Sequence, residues 1–190
     1  MLAIVAGYAD AVGFLTFGTF AGAMTGNTVL LGIALASAKF ADVMQNALII
    51  AAFLAGVAAS ALLRRRIPLA AILGLEAITL VVAALVTPAF AAPVLAFAMG
   101  LQNAAMTHFA GTSVNTVFLT GNLQKLVQAM LGPASSDGAT AVSMIVWMWV
   151  CYLGGVVLGA LACHWTAYPL LLAILPLPAV LLNIGDRRKA

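Results

Sequence analysis

The chain has 190 residues, of which 65% are hydrophobic and 7% charged, with a formal charge of +3. A soluble domain carries about 25% charge, so the composition excludes an ordinary globular enzyme and predicts one membrane domain spanning residues 1–190. The apolar runs are too many for a signal peptide ahead of a soluble domain. Outside two short clusters there is no basic face, so nucleic acid is not an expected partner.

Leu2–Phe17 is the first apolar segment. Gly18–Met24 is glycine-rich and irregular, and Gly26–Ala38 has the spacing of a short helix. After the polar turn Lys39–Asp42, a full-length span over Val43–Leu63 ends at Arg64-Arg65-Arg66. A further span, Ile67–Val86, closes at Thr87-Pro88. The same order then repeats as Ala92–Phe109, Asn122–Leu131, Ala139–Cys163 and Tyr168–Asn183. Between the first two of these, Gly111, Thr112 and Ser113 break the chain, and Val114–Leu119 reads as extended.

The duplication can be followed residue by residue. Gly7-x-x-Asp10-Ala11 answers Gly100-x-x-Asn103-Ala104, and Thr25-Gly26-Asn27 answers Thr120-Gly121-Asn122. Asp10 to Asn103 is an offset of 93, and Asn27 to Asn122 one of 95. Ala52, Gly56 and Ser60 match Cys151, Gly155 and Gly159 at 99, and Pro68 matches Pro169 at 101. A smoothly growing offset is what accumulating loop insertions produce. Repeat 1 covers 1–90 and repeat 2 covers 91–190.

Small residues four apart, as at Gly56/Ser60 and Gly155/Gly159, let helices approach closely in lipid. If each broken unit crosses once, every repeat has three crossings. Arg64–Arg66 and Arg187-Arg188-Lys189 then share one side, as the positive-inside rule expects of the cytoplasm. An odd number of crossings inverts the second repeat. The expected fold class is therefore an all-α polytopic membrane protein made of two inverted repeats of about three transmembrane helices, each containing a broken or re-entrant helix. Both termini are expected in the cytoplasm.

Two broken polar segments at matching positions point to a transport site. Asp10 sits mid-way along the first segment, where a carboxylate must face protein or water. It reads either as a proton- or ion-coupling group or as a buried carboxyl tying two segments together. Glu76 is the second intramembrane acid, and its counterpart at offset 101 is Leu177. Lys125 reads as a cationic partner for either acid or as a side chain reaching the headgroups. The two Thr-Gly-Asn turns read as helix starts, with Thr25 and Thr120 as caps. There Gly26 and Gly121 allow close backbone approach. Free N–H groups, with Asn27 and Asn122, would then receive a polar or anionic solute. Gln102, Asn103, Thr107, His108 and Asn115 are further candidates to line such a site. Asp10, both turns and Asn103 are expected around one polar cavity.

Cys151 and Cys163 lie 12 residues apart on one expected helix, about 18 Å along its axis, so they cannot bridge each other. No spacing of Cys and His suggests a metal, and no cofactor is expected. The sequence has neither a Gly-x-Ser-x-Gly elbow nor paired membrane aspartates, so an enzyme is not expected. A small secondary transporter is the first reading; a passive channel and a non-transporting scaffold or assembly protein are the rivals. Lipid and a small polar or anionic solute are the expected partners, and a homo-oligomer is compatible with the composition.

GYADAVGF, MTGNTVLLGIAL and GLQNAAMTHFAG, with the following Thr120-Gly121-Asn122-Leu123, resemble the YoaK-like family of bacterial membrane proteins (domain of unknown function 1275). That resemblance covers nearly the whole chain and implies about six helices in the bacterial cytoplasmic (inner) membrane. It implies no substrate.

Overall fold

The computed structural model describes residues 1–105, 108–109, 112–113, 119–131 and 136–177. The protein is built of helices: α1 Leu2–Phe17, α2 Met24–Ala36, α3 Phe40–Leu63, α4 Leu69–Leu85, α5 Pro88–Ala105, α6 Leu119–Leu131, α7 Ser136–Trp165 and α8 Pro169–Leu172. Two short strands, β1 His108–Phe109 and β2 Thr112–Ser113, pair antiparallel within the second break.

α1 is the buried centre. Eleven of its 16 residues, all between Leu2 and Gly13, are buried, and α5 contributes Leu95, Ala96, Ala98, Met99 and Leu101 to the same core. The two helices run antiparallel across each other. Gln102 Nε2 donates to the Leu2 carbonyl at 3.1 Å, while Gly13, eleven residues further along α1, lies under Leu95. Leu2 therefore meets the end of α5 that follows Leu95.

Around this pair, α7 packs along α1 and α3 along α5. Both contacts are made through glycine. A Cβ on Gly7 would strike the Tyr152 carbonyl, and one on Gly100 would strike the Phe53 carbonyl. A Cβ on Gly155 would strike the Ile4 carbonyl, and one on Gly56 the Phe97 carbonyl. Gly7 and Ile4 correspond to Gly100 and Phe97 at offset 93; Phe53 and Gly56 correspond to Tyr152 and Gly155 at 99. Each contact thus recurs with the roles of the halves exchanged. The small faces of α3 and α7 each receive the first helix of the opposite half, with Gly56 against Phe97 and Gly155 against Ile4. The reason is steric, since only a glycine on both helices lets two backbones come this close.

Phe40–Leu63 and Val142–Trp165 are long and apolar enough to cross a membrane, with mean hydropathies of 2.2 and 2.0. Only 28% and 17% of those windows are buried inside the protein. Phe40, Met44, Leu54 and Leu62 on α3 and Trp147, Val157 and Leu158 on α7 are instead exposed.

Four expectations about the elements need correction. The first segment of the later half, expected over Ala92–Phe109, is helical from Pro88 to Ala105, and His108–Phe109 is a strand. The second helix starts at Met24, two residues before Gly26, because residues 22 and 23 are already held in place by Asp10. The second long span of the later half extends from Ser136 to Trp165, beyond both expected ends. The last segment, expected as a helix over Tyr168–Asn183, has α geometry over Pro169–Leu172 and again at Leu177; its residues 178–183 lie outside the described residues. From Ala173 to Leu177 its bonds are of the tighter i→i−3 kind. Pro176 has no N–H to extend an α ladder, which accounts for the change. Of Val114–Leu119, expected as extended chain, Leu119 is the first residue of α6 and the rest lies outside the described residues.

Candidate functional site

The first break, residues 18–23, folds back over the end of α1. Gly18 closes α1 in the left-handed conformation (φ 72°), with its N–H donating to the Phe14 carbonyl at 2.9 Å. The returning chain then passes over Gly13, where a Cβ would lie 2.9 Å from the Thr19 carbonyl. Phe20 stacks on Phe14, with ring centroids 4.8 Å apart. Its other neighbour is Gly26, where a Cβ would lie 2.7 Å from the ring. Gly26 therefore makes room for an aromatic ring.

Asn27 is fully buried and grips Phe20 at both backbone groups. Its Oδ1 accepts from the Phe20 N–H at 2.8 Å, and its Nδ2 donates to the Phe20 carbonyl at 2.7 Å. An amide is the side chain that can do both at once. Thr25 is exposed and makes no capping bond, because the helix begins earlier than expected and places it inside the first turn.

Asp10, 2% exposed, supplies the cap that Thr25 does not. Oδ1 accepts from the Gly22 N–H at 2.6 Å and the Ala23 N–H at 3.2 Å; Oδ2 accepts from the Tyr152 hydroxyl at 2.5 Å. A carboxylate thus occupies the anion position at the start of α2 and ties that break to α7. Tyr152 is the residue that sequence reasoning missed. Its signal was present: at offset 99 it stands opposite Phe53, one hydroxyl apart, just as Asp10 stands opposite Asn103. The Asp–Tyr pair of one half is an Asn–Phe pair in the other.

The remaining candidates fall into separate places. Gln102 and Asn103 are buried on α5, and Asn103 Oδ1 accepts no bond among the described residues. Glu76 is fully buried on α4, and neither carboxyl oxygen has a hydrogen-bond partner among those residues. Lys125 is exposed on α6. The hydrogen bonds of Asp10 go to Gly22, Ala23 and Tyr152. Thr120, Gly121 and Asn122 lie in the first turns of α6, with Gly121 exposed. His108 belongs to β1. Thr107 and Asn115 lie outside the described residues. Asp10 and Asn27 both bond the backbone of the first break; the side chains of the second turn that the expected shared cavity involves lie outside the described residues. One cleft of about 160 Å³ opens elsewhere, where Thr16, Phe17, Val86, Pro88 and Tyr168 meet. Among the described residues no group of His, Cys, Asp and Glu could hold a metal, and both cysteines are free.

These features define a helical protein with two helices fit to cross a bilayer and a carboxylate-capped break beside its central helix. The chain belongs to the family described as "Protein of unknown function (DUF1275)", whose model matches residues 1–183. No curated protein and no solved structure matches it.

Proposed function

We propose that this protein is a small multi-pass secondary transporter of the bacterial cytoplasmic membrane, built from two inverted repeats, that moves a small polar or anionic solute together with a proton. The observation that carries the reading is the exchanged packing of the two halves around antiparallel first helices. Each first helix leads into a break and then a short helix, the layout in which transporters hold solute between repeats. The apolar side chains exposed along α3 and α7 support residence in lipid, since a water-soluble protein rarely leaves such continuous apolar faces uncovered.

The two breaks are not equivalent. In the first, Asp10 already supplies the anion at the helix start. In the second, Asn103 brings no charge, so a solute anion at Thr120–Asn122 would meet no carboxylate from the corresponding position. Solute is therefore received at the second break.

Two experiments test this. Full-length protein in liposomes should take up one of a panel of small anions (phosphate, sulfate, short carboxylates) saturably and in response to a pH gradient. A flux linear in concentration would favour a channel, and no flux with any anion would favour a scaffold. For topology, cysteines at Arg65 and Ser136 should label from the same side of the membrane. Labelling from opposite sides would mean four crossings per half and would end the inverted-repeat reading.

A further inference from the structure

The two intramembrane acids differ in one respect that decides their roles. Asp10 is surrounded by donors, two backbone N–H groups and a tyrosine hydroxyl. That environment is built to hold a carboxylate and to keep the first break closed. Glu76 has no donor at all among the described residues, although it is fully buried. More than ~10 Å of helix separates it from either end of α4. Among the described residues, the elements that chiefly pack against α4 are α5 and α8, and neither carries a titratable or charged side chain; Glu76 is also the single charged residue of α4. Arg64, Arg65 and Arg66, which precede α4, are exposed, and Arg64 Nη1 donates to the Ala104 carbonyl at 3.2 Å. No cation therefore balances Glu76 from these elements.

A bare carboxylate in such a place would cost several kcal/mol. A metal cation would need several oxygen ligands around it, and no ligand set is assembled there among the described residues. A proton needs neither ligands nor a cavity. We infer that Glu76 is the site at which the transport cycle holds and exchanges its proton, while Asp10 is a positioning residue. The assignment rests on the proton-coupled transporter reading for its place in a cycle. Its physical content, a proton resident on Glu76, stands apart from that reading.

The second half argues that the acid is not there for folding. At the corresponding position stands Leu177, equally buried, so a leucine satisfies the packing of that site. Glu76→Leu should accordingly unfold at the wild-type temperature or above it. A clear drop in Tm would reveal a structural partner for the carboxyl and overturn the inference.

The direct test is infrared spectroscopy of the full chain in lipid at pH 7. Of the five acids, Asp10, Asp42, Glu76, Asp137 and Asp186, one should give the C=O stretch of a protonated carboxylic acid. The band should vanish in Glu76→Gln and persist in Asp10→Asn. No acid band in the wild type, or a band lost in Asp10→Asn and kept in Glu76→Gln, would overturn the assignment. In liposomes the response of anion uptake to a pH gradient should be lost in Glu76→Gln and retained in Asp10→Asn. If the band behaves as expected but wild-type protein moves no anion, the transporter reading fails and the proton site stands.

Discussion

Gly155→Leu is expected to destabilise the protein by about 3 kcal/mol, the upper end of what overpacking costs, while Gly154→Leu should be neutral or slightly stabilising. The two glycines are sequence neighbours on α7, so helix propensity treats them alike and favours leucine at both by up to about 1 kcal/mol. Their surroundings differ. A Cβ on Gly155 runs into the Ile4 carbonyl of α1, whereas a Cβ on Gly154 meets nothing within 4 Å. Backbone cannot swing aside as a flexible side chain does, so α1 and α7 must separate along their length. Gly56→Leu should cost a similar amount, because it stands against Phe97 on α5 as Gly155 stands against Ile4 on α1. Unfolding in detergent checks all three. A Gly155→Leu variant with an unchanged midpoint would mean that the α1–α7 contact is not close.

The same pairs show what the sequence makes legible and where it stops. The bounds of α1 are readable because Leu2–Phe17 is continuously apolar and Gly18 is a ready helix terminator. The expectation of a duplication comes from the offsets 93, 95, 99 and 101, which rise in order. Partner choice is not readable. The small faces on α3 and α7 announce close packing, but a stripe of glycines fits any equally smooth helix. That each accepts the first helix of the other half is decided by the three-dimensional exchange.

Thr-Gly-Asn shows a second limit. The triplet looks like a cap followed by a flexible glycine and a ligand-binding amide, since those are the local uses of the three residues. In the first half the local uses give way to contacts from further along the chain. Phe20 needs a face without a Cβ, its backbone needs both ends of an amide, and the cap arrives from Asp10, 12 and 13 residues before the N–H groups that it accepts from. The tighter turns after Leu172 were written in Pro176, but a proline within an apolar run does not by itself say where the α ladder yields to them.

The largest loss of all is expected from Asp10→Ala, about 3–5 kcal/mol. It leaves the Gly22 and Ala23 N–H groups and the Tyr152 hydroxyl without an acceptor, and each orphaned buried donor costs about 1–3 kcal/mol. Asp10→Asn should cost far less. Its Oδ1 can still accept from both N–H groups, and its Nδ2 can donate to the Tyr152 oxygen, so what is lost is charge assistance. Tyr152→Phe alone takes the donor from a buried carboxylate oxygen, a bond to a charged group worth about 1.5–3 kcal/mol. In the Asp10→Asn background the same change removes only a neutral bond, worth about 1 kcal/mol. The double variant Asp10→Asn/Tyr152→Phe rebuilds in the first half the Asn103–Phe53 combination that the second half already uses. Its loss should therefore be smaller than the sum of the two single losses, by about 0.5–2 kcal/mol, within the range measured for residues in contact. Chemical denaturation of the four proteins closes the cycle. Strict additivity would show that the Asp10–Tyr152 bond does not hold the first break against α7, and the pairing of the two halves through these positions would then be packing alone.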